Sequence, residues 1–187
     1  DMYGDFHFKY GTDQAGNYSN EGDKYNREHS IPKSWFSEKS PAASDLFHIY
    51  PTDGKINNER SNYPFGEVSN ASYVYPESAS NELGQVKLGE SSFPGYTGIV
   101  FEPYDEYKGD FARTYFYFAT HFPGWATNGY GSSTFTKSFP YMTTYGINLM
   151  LKWCRQDPVS QKEIKRNEAA YKLVKARNPF IDHVSYV

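Results

Sequence analysis

The chain has 187 residues, a formal net charge of −3 and a 38% hydrophobic fraction, which bounds it to one globular domain with a real core and excludes a disordered or low-complexity protein. Aromatic residues make up 19% of it (18 Tyr, 14 Phe, 3 Trp), so the core is expected to be built from rings that bring hydroxyl and indole donors with them. No stretch approaches the roughly 20 apolar residues of a membrane span, the first five residues lack signal-peptide character, and a single cysteine, Cys154, excludes an internal disulfide.

In chain order, aromatic and polar residues alternate from Tyr3 to Tyr10, which predicts a short strand or hairpin before a Gly/Asn/Asp-rich turn region at 11–23. Residues 24–31 predict a strand stopped by Pro32, followed by a looser segment and a loop at 40–44. A second strand is expected over 46–50, bounded by Asp45 and Pro51. Thr52 or Asp53 then suits the N-cap of a two-turn helix over 54–61. Residues 68–101 predict loops and short strands. A helical recurrence of apolar and aromatic positions runs over 107–122 until Pro123-Gly124, a Gly-rich aromatic loop reaches Thr144, and two further helices are expected over 145–155 and 160–175. Between Lys152 and Arg177 eight basic residues stand against three acidic ones, a formal +5, read as a solvated helix face.

The chemistry-bearing clusters are two. Arg27-Glu28-His29 followed by Pro32-Lys33 puts a carboxylate, an imidazole and two cations within a few residues. Asp45-Leu46-Phe47-His48 runs on through Pro51, Gly54, Asn57 and Arg60-Ser61-Asn62. Farther along stand Phe101-Glu102-Pro103, Lys108-Gly109-Asp110 with Ala112-Arg113 and Tyr115-Phe116-Tyr117, then Arg166-Asn167-Glu168, and Arg177-Asn178-Pro179-Phe180-Ile181-Asp182. A zinc hydrolase is excluded by ligand types: no His pair has the spacing of a zinc protease and the lone Cys has no partner.

Taken together and in order, these segments resemble the bacterial endonuclease I family over nearly the whole chain. The resemblance implies an α+β fold with a His-Me finger (ββα-metal) core at about 24–62, additional helices at about 145–176 and long aromatic loops, all in a single domain over 1–187. The strand, loop, strand and helix read independently from 24–61 agree with that motif.

Carried residue by residue, the resemblance makes His29 the general base, Glu28 and Asn57 the metal ligands, and Arg60 a phosphate contact. Some relatives have a further phosphate-binding Arg with no counterpart here; Arg27, Lys33 or Lys39 are the substitutes. A neutral imidazole with an ordinary pKa near about 6.5 suits proton abstraction from water. A carboxylate and an amide oxygen suit Mg²⁺, with Ca²⁺ or Mn²⁺ as alternatives. Because neighbours in a regular strand face opposite ways, a bend or bulge is expected between Glu28 and His29.

The implied activity is metal-dependent endonucleolytic hydrolysis of DNA, with RNA as a second substrate, without sequence specificity and with 5′-phosphate ends. The resemblance also implies a secreted, periplasmic or cell-surface location; a monomer is the simplest expectation, and the lack of an apolar span predicts no membrane contact. The competing reading is a vestigial nuclease fold whose aromatic middle binds carbohydrate or protein. Phe47 and His48 are read as structural, as are His7, His121 and His183, and Arg177 to Phe180 as a closure of the C-terminus.

Overall fold

A computed structural model of the chain describes residues 1–14, 16–77 and 84–187, and its contacts group into two compact units. The first comprises residues 1–30 and 49–105, the second residues 31–48 and 106–187. The secondary structure is mixed α and β, as the α+β expectation required.

In the first unit β1 (Tyr25–His29) pairs antiparallel with β2 (Ile49–Asp53), and α1 (Gly54–Arg60) follows β2 directly and packs on both strands. Asp53 begins the helix: its Oδ1 accepts from Ile56 N at 2.8 Å, while Oδ2 accepts from Gly22 N at 2.7 Å and ties the preceding turn to the same residue. Gly54 is required by a close approach, since a Cβ there would lie 2.8 Å from the Tyr18 ring and 3.1 Å from Lys24 O. A second sheet of the unit, antiparallel in the order β3-β4-β5, is formed by Val68–Tyr75, Val86–Ser91 and Ile99–Glu102. β3 carries two register shifts. The stretch expected to hold loops and short strands thus holds this meander, with 78–83 lying outside the described residues.

Two sequence expectations fail here. Tyr3 to Tyr10 form no strand; Tyr3 is fully buried instead, its ring 4.8 Å from Phe101, so the aromatic alternation reflects separate rings seeking cover and no ladder. The second strand begins at Ile49 and runs through Pro51, with Leu46–His48 forming a 3-10 turn. Pro51 is tolerated because β2 has only one ladder neighbour, and a residue whose N–H faces outward owes no hydrogen bond.

The second unit is built on α2 (Lys108–His121) and α3 (Thr144–Gln156), which pack together, with α4 (Gln161–Val174) and α5 (Pro179–Asp182) completing it. Trp35, Phe111, Tyr115, Phe118, Leu149 and Trp153 are enclosed in its core. Phe47 packs with Tyr117, Ala170 and Phe180, and His48 is fully buried with its Nε2 donating to Ala42 O at 2.6 Å. Both are structural, as their apolar setting suggested. Asn178 caps α5 by accepting from Phe180 N at 3.0 Å and donates its own main-chain N–H to Asn167 Oδ1 at 2.8 Å, while Arg177 pairs with Asp182 and Glu168, so this closing segment is a clasp. Among the described residues no helix is long and apolar enough to cross a membrane.

Candidate active site

Within the first unit, the chain's local preferences deliver an acid and an imidazole at consecutive positions of β1. Glu28 lies opposite Tyr50 and His29 opposite Ile49. The register is continuous from Tyr25 to His29, so the expected bulge is absent. His29 is the last residue of the strand, so Glu28 and His29 keep the ordinary alternation of neighbours in a regular strand.

Glu28 is 6% exposed, which for a carboxylate demands compensation. The compensation comes from α1. Arg60 donates through Nη1 to Glu28 Oε1, and the same guanidinium holds the main chain leaving the strand, with Nη1 at 3.3 Å from His29 O and Nη2 at 2.8 Å from Ser30 O. Its plane lies over the Phe65 ring, 4.7 Å from the centroid. Tyr3 Oη donates to the same Glu28 oxygen at 3.1 Å. Burial nevertheless pushes the Glu28 carboxyl above the ordinary carboxylate range, against the downward pull of Arg60 and of the Tyr3 hydroxyl.

Arg60 is 0% exposed. Its guanidinium is engaged by Glu28 and two carbonyls and covered by Phe65, a setting unlike that of an exposed phosphate contact. The sequence reading placed Arg60 and Asn57 on one helix face because they stand three apart. One turn ahead of Arg60, Asn57 is half-buried, and among the described residues its side-chain amide has no hydrogen-bond partner.

The remaining expected residues are not gathered with these. Arg27 is exposed on β1 opposite Pro51, and Lys33 belongs to the second unit, where it pairs with Glu38 at 3.3 Å. Lys39 is exposed in that same unit. Tyr3 is the contributor that sequence reasoning missed, because a hydroxyl 25 positions upstream leaves no local signal of where it will bond.

A divalent cation suits this donor set. A carboxylate and a half-buried amide are hard oxygen ligands of the type that Mg²⁺ and its neighbours prefer. Among the described residues no group of three His, Cys, Asp or Glu side chains converges as a metal cluster.

Residues 1–185 match the family model described as Endonuclease I. An extracellular ribonuclease of Bacillus amyloliquefaciens is 37% identical over 167 residues, covering 85% of this chain and 51% of that protein. An extracellular ribonuclease of Bacillus subtilis (strain 168) is 35% identical over 175 residues, covering 89% of this chain and 54% of that protein. The chain spans about half the length of the curated relatives it matches.

Proposed function

The chain belongs to the endonuclease I family, and on that premise we propose that it is a divalent-metal-dependent endonuclease hydrolysing the phosphodiester bonds of RNA and DNA through backbone recognition, without sequence specificity. The observation that carries the reading is the buried Glu28 carboxylate, clamped by Arg60 and Tyr3 immediately beside His29 and packed under the helix that bears Asn57. RNA stands first because two relatives sharing 37% and 35% identity are named extracellular ribonucleases. The same names support export of the protein.

In this reading Glu28 and Asn57 supply carboxylate and amide oxygens to one Mg²⁺, with Mn²⁺ or Ca²⁺ as substitutes. The ion, when bound, stabilises the charge that develops on the leaving oxygen. His29 accepts a proton from water through its imidazole nitrogen. The water oxygen then bonds to phosphorus as the P–O3′ bond breaks, giving a 5′-phosphate and a 3′ oxygen that takes a proton from solvent to become the free hydroxyl. An in-line displacement needs base and leaving-group stabiliser on opposite sides of phosphorus. Consecutive strand residues that diverge at a strand end meet that need better than a bulge that turned both the same way.

Arg60 fixes the carboxylate and the His29 carbonyl together, so the two sides of the site move as one. Arg27, exposed on the same strand, is a cation open to a substrate phosphate.

Incubation of plasmid DNA and of a structured RNA with the protein, in Mg²⁺ or in chelator, tests the proposal. Cleavage should require Mg²⁺ and fall by about 10²–10⁴-fold in His29→Ala. Undiminished cleavage by that variant would remove His29 from its role.

A further inference from the structure

In the second unit a cleft of about 240 Å³ opens between the Phe36–Lys39 segment and the loops that follow α2. Its lining includes Ser37, Lys39, Trp125, Asn128 and Lys137. Trp125 is half-buried, whereas the other two tryptophans, Trp35 and Trp153, are enclosed in the core. Lys39 and Lys137 are exposed, and among the described residues neither ammonium has an ion-pair partner. Glu38, the carboxylate between Ser37 and Lys39, is engaged by Lys33 at 3.3 Å. The cleft therefore carries two uncompensated positive charges.

It is also held in shape. Asn128 Nδ2 donates to Ser37 Oγ at 3.0 Å and Asn128 N to Trp35 O at 3.0 Å, so both walls are tied together. Lys137 stands on a closed turn in which Thr136 N donates to Tyr141 O at 3.0 Å and Tyr141 N to Ser138 O at 2.7 Å. The tip of that turn presents Phe139, 86% exposed and edge-on to Tyr141. Gly124 has a φ of +76°, so a side chain at this position would be strained, and the Lys137 main chain stands at ordinary contact distance, 3.4 Å from where its Cβ would lie.

A partly open indole, a neighbouring amide and hydroxyl, two unpaired cations and a projecting phenyl ring form the combination that single-stranded nucleic acid selects: flat surfaces for bases, and charge for the linking phosphates. We propose that this cleft binds one nucleotide of a single-stranded segment, its base against Trp125 and its flanking phosphates against Lys39 and Lys137, with the next base meeting Phe139. The inference rests on the nuclease reading and adds to it a strand-holding subsite on the second unit. The subsite discriminates against duplex, because a base inside a duplex cannot present its face to the indole.

The test is a fluorescence titration of the His29→Ala protein in chelator with a ten-nucleotide oligouridylate and, separately, with a ten-base-pair duplex. Tryptophan emission should be quenched by the single strand, and Trp125→Phe should remove the quenching. The Lys39→Gln/Lys137→Gln double variant should bind the oligonucleotide at least about tenfold more weakly, with the slope of log K against log salt reduced by about 1.4, roughly 0.7 for each phosphate that is no longer neutralised. Duplex binding should be weaker and should not quench. Unchanged affinity and unchanged salt slope in the double variant, or no quenching by the single strand, would overturn the proposal. Cleavage of plasmid by the wild-type protein, measured alongside, separates this failure from failure of the nuclease reading.

Discussion

At the scale of single residues, the decisive finding is that Arg60 faces inward. The pair it forms with Glu28 is buried on both sides, and removing one member of such a pair costs far more than the pair contributes, because a charge is left in a low dielectric with no partner. Arg60→Met should therefore lower folding stability by about 3–5 kcal/mol, read from chemical denaturation. Arg60→Lys keeps the charge and loses the fork that spans Glu28 and two carbonyls. It should fold and yet lose about 10–100-fold in activity at limiting Mg²⁺, as support groups behind a metal ligand do when altered. If Arg60→Lys matches the wild type at every Mg²⁺ concentration, the clamp has no part in presenting Glu28. The sequence made Glu28, His29, Asn57 and Arg60 legible as a group because their types and order resemble one family. It could not separate the buried cation from the exposed one, since that difference depends on Phe65 and Tyr3, whose positions along the chain carry no trace of the contact.

At the scale of elements, local rules succeeded wherever a segment's own residues decide its shape. The helices expected over 107–122, 145–155 and 160–175 are α2, α3 and α4 within one or two residues. Asp53 caps α1, as one of the two candidates read from the sequence. They failed at residues 3–10, where alternation without a pairing partner made no strand, and at Pro51, whose effect depends on having one ladder neighbour.

The junction of α2 and α4 holds a charge problem that no periodicity reveals. Arg113 gives both arms to Glu163, Nε to Oε1 at 2.7 Å and Nη2 to Oε2 at 2.5 Å, while Glu163 also closes the capping box of α4 with Ser160. Asp110 stands 3.9 Å from the same guanidinium as a surplus buried carboxylate. Burial first, then Glu163 and Asp157, push it up to about 8. Asp157, which accepts from Gly109 N at 2.8 Å, is pushed up to about 6, again chiefly by burial. A carboxylate whose folded pKa is raised binds its proton more tightly folded than unfolded, so its contribution is full below the ordinary carboxylate range and is lost as pH rises through the folded value. Asp110→Asn should thus gain stability relative to the wild type steadily from about pH 4 to about pH 8. Melting curves across that range check it, and a difference that does not vary with pH would show that Asp110 is not held protonated.

At the scale of the molecule, the chain forms two compact units. One carries the strands and helix that present Glu28, His29 and Asn57, and the other carries the aromatic and basic cleft around Trp125. A net charge of −3 is compatible with a locally positive surface, such as the one around Lys39 and Lys137, because distribution and not the sum sets the local field. The overall fold class was legible because the family pattern spans the whole chain; the partition into units was not, because residues 31–48 interrupt one unit in sequence while belonging to the other. A bound cation stabilises the folded state in proportion to the logarithm of its excess, about 2.7 kcal/mol at a hundredfold excess over its dissociation constant, so Mg²⁺ should raise the melting temperature of the wild-type protein.

The most direct measurement is the Mn²⁺ binding isotherm of the wild-type, His29→Ala and Asn57→Ala proteins, followed by paramagnetic resonance. One ion per chain should bind to the wild type and to His29→Ala with similar affinity, although the latter no longer cleaves, and Asn57→Ala should bind at least about tenfold more weakly while remaining folded. Equal affinity in Asn57→Ala and loss of binding in His29→Ala would contradict the assignment of ligand and base.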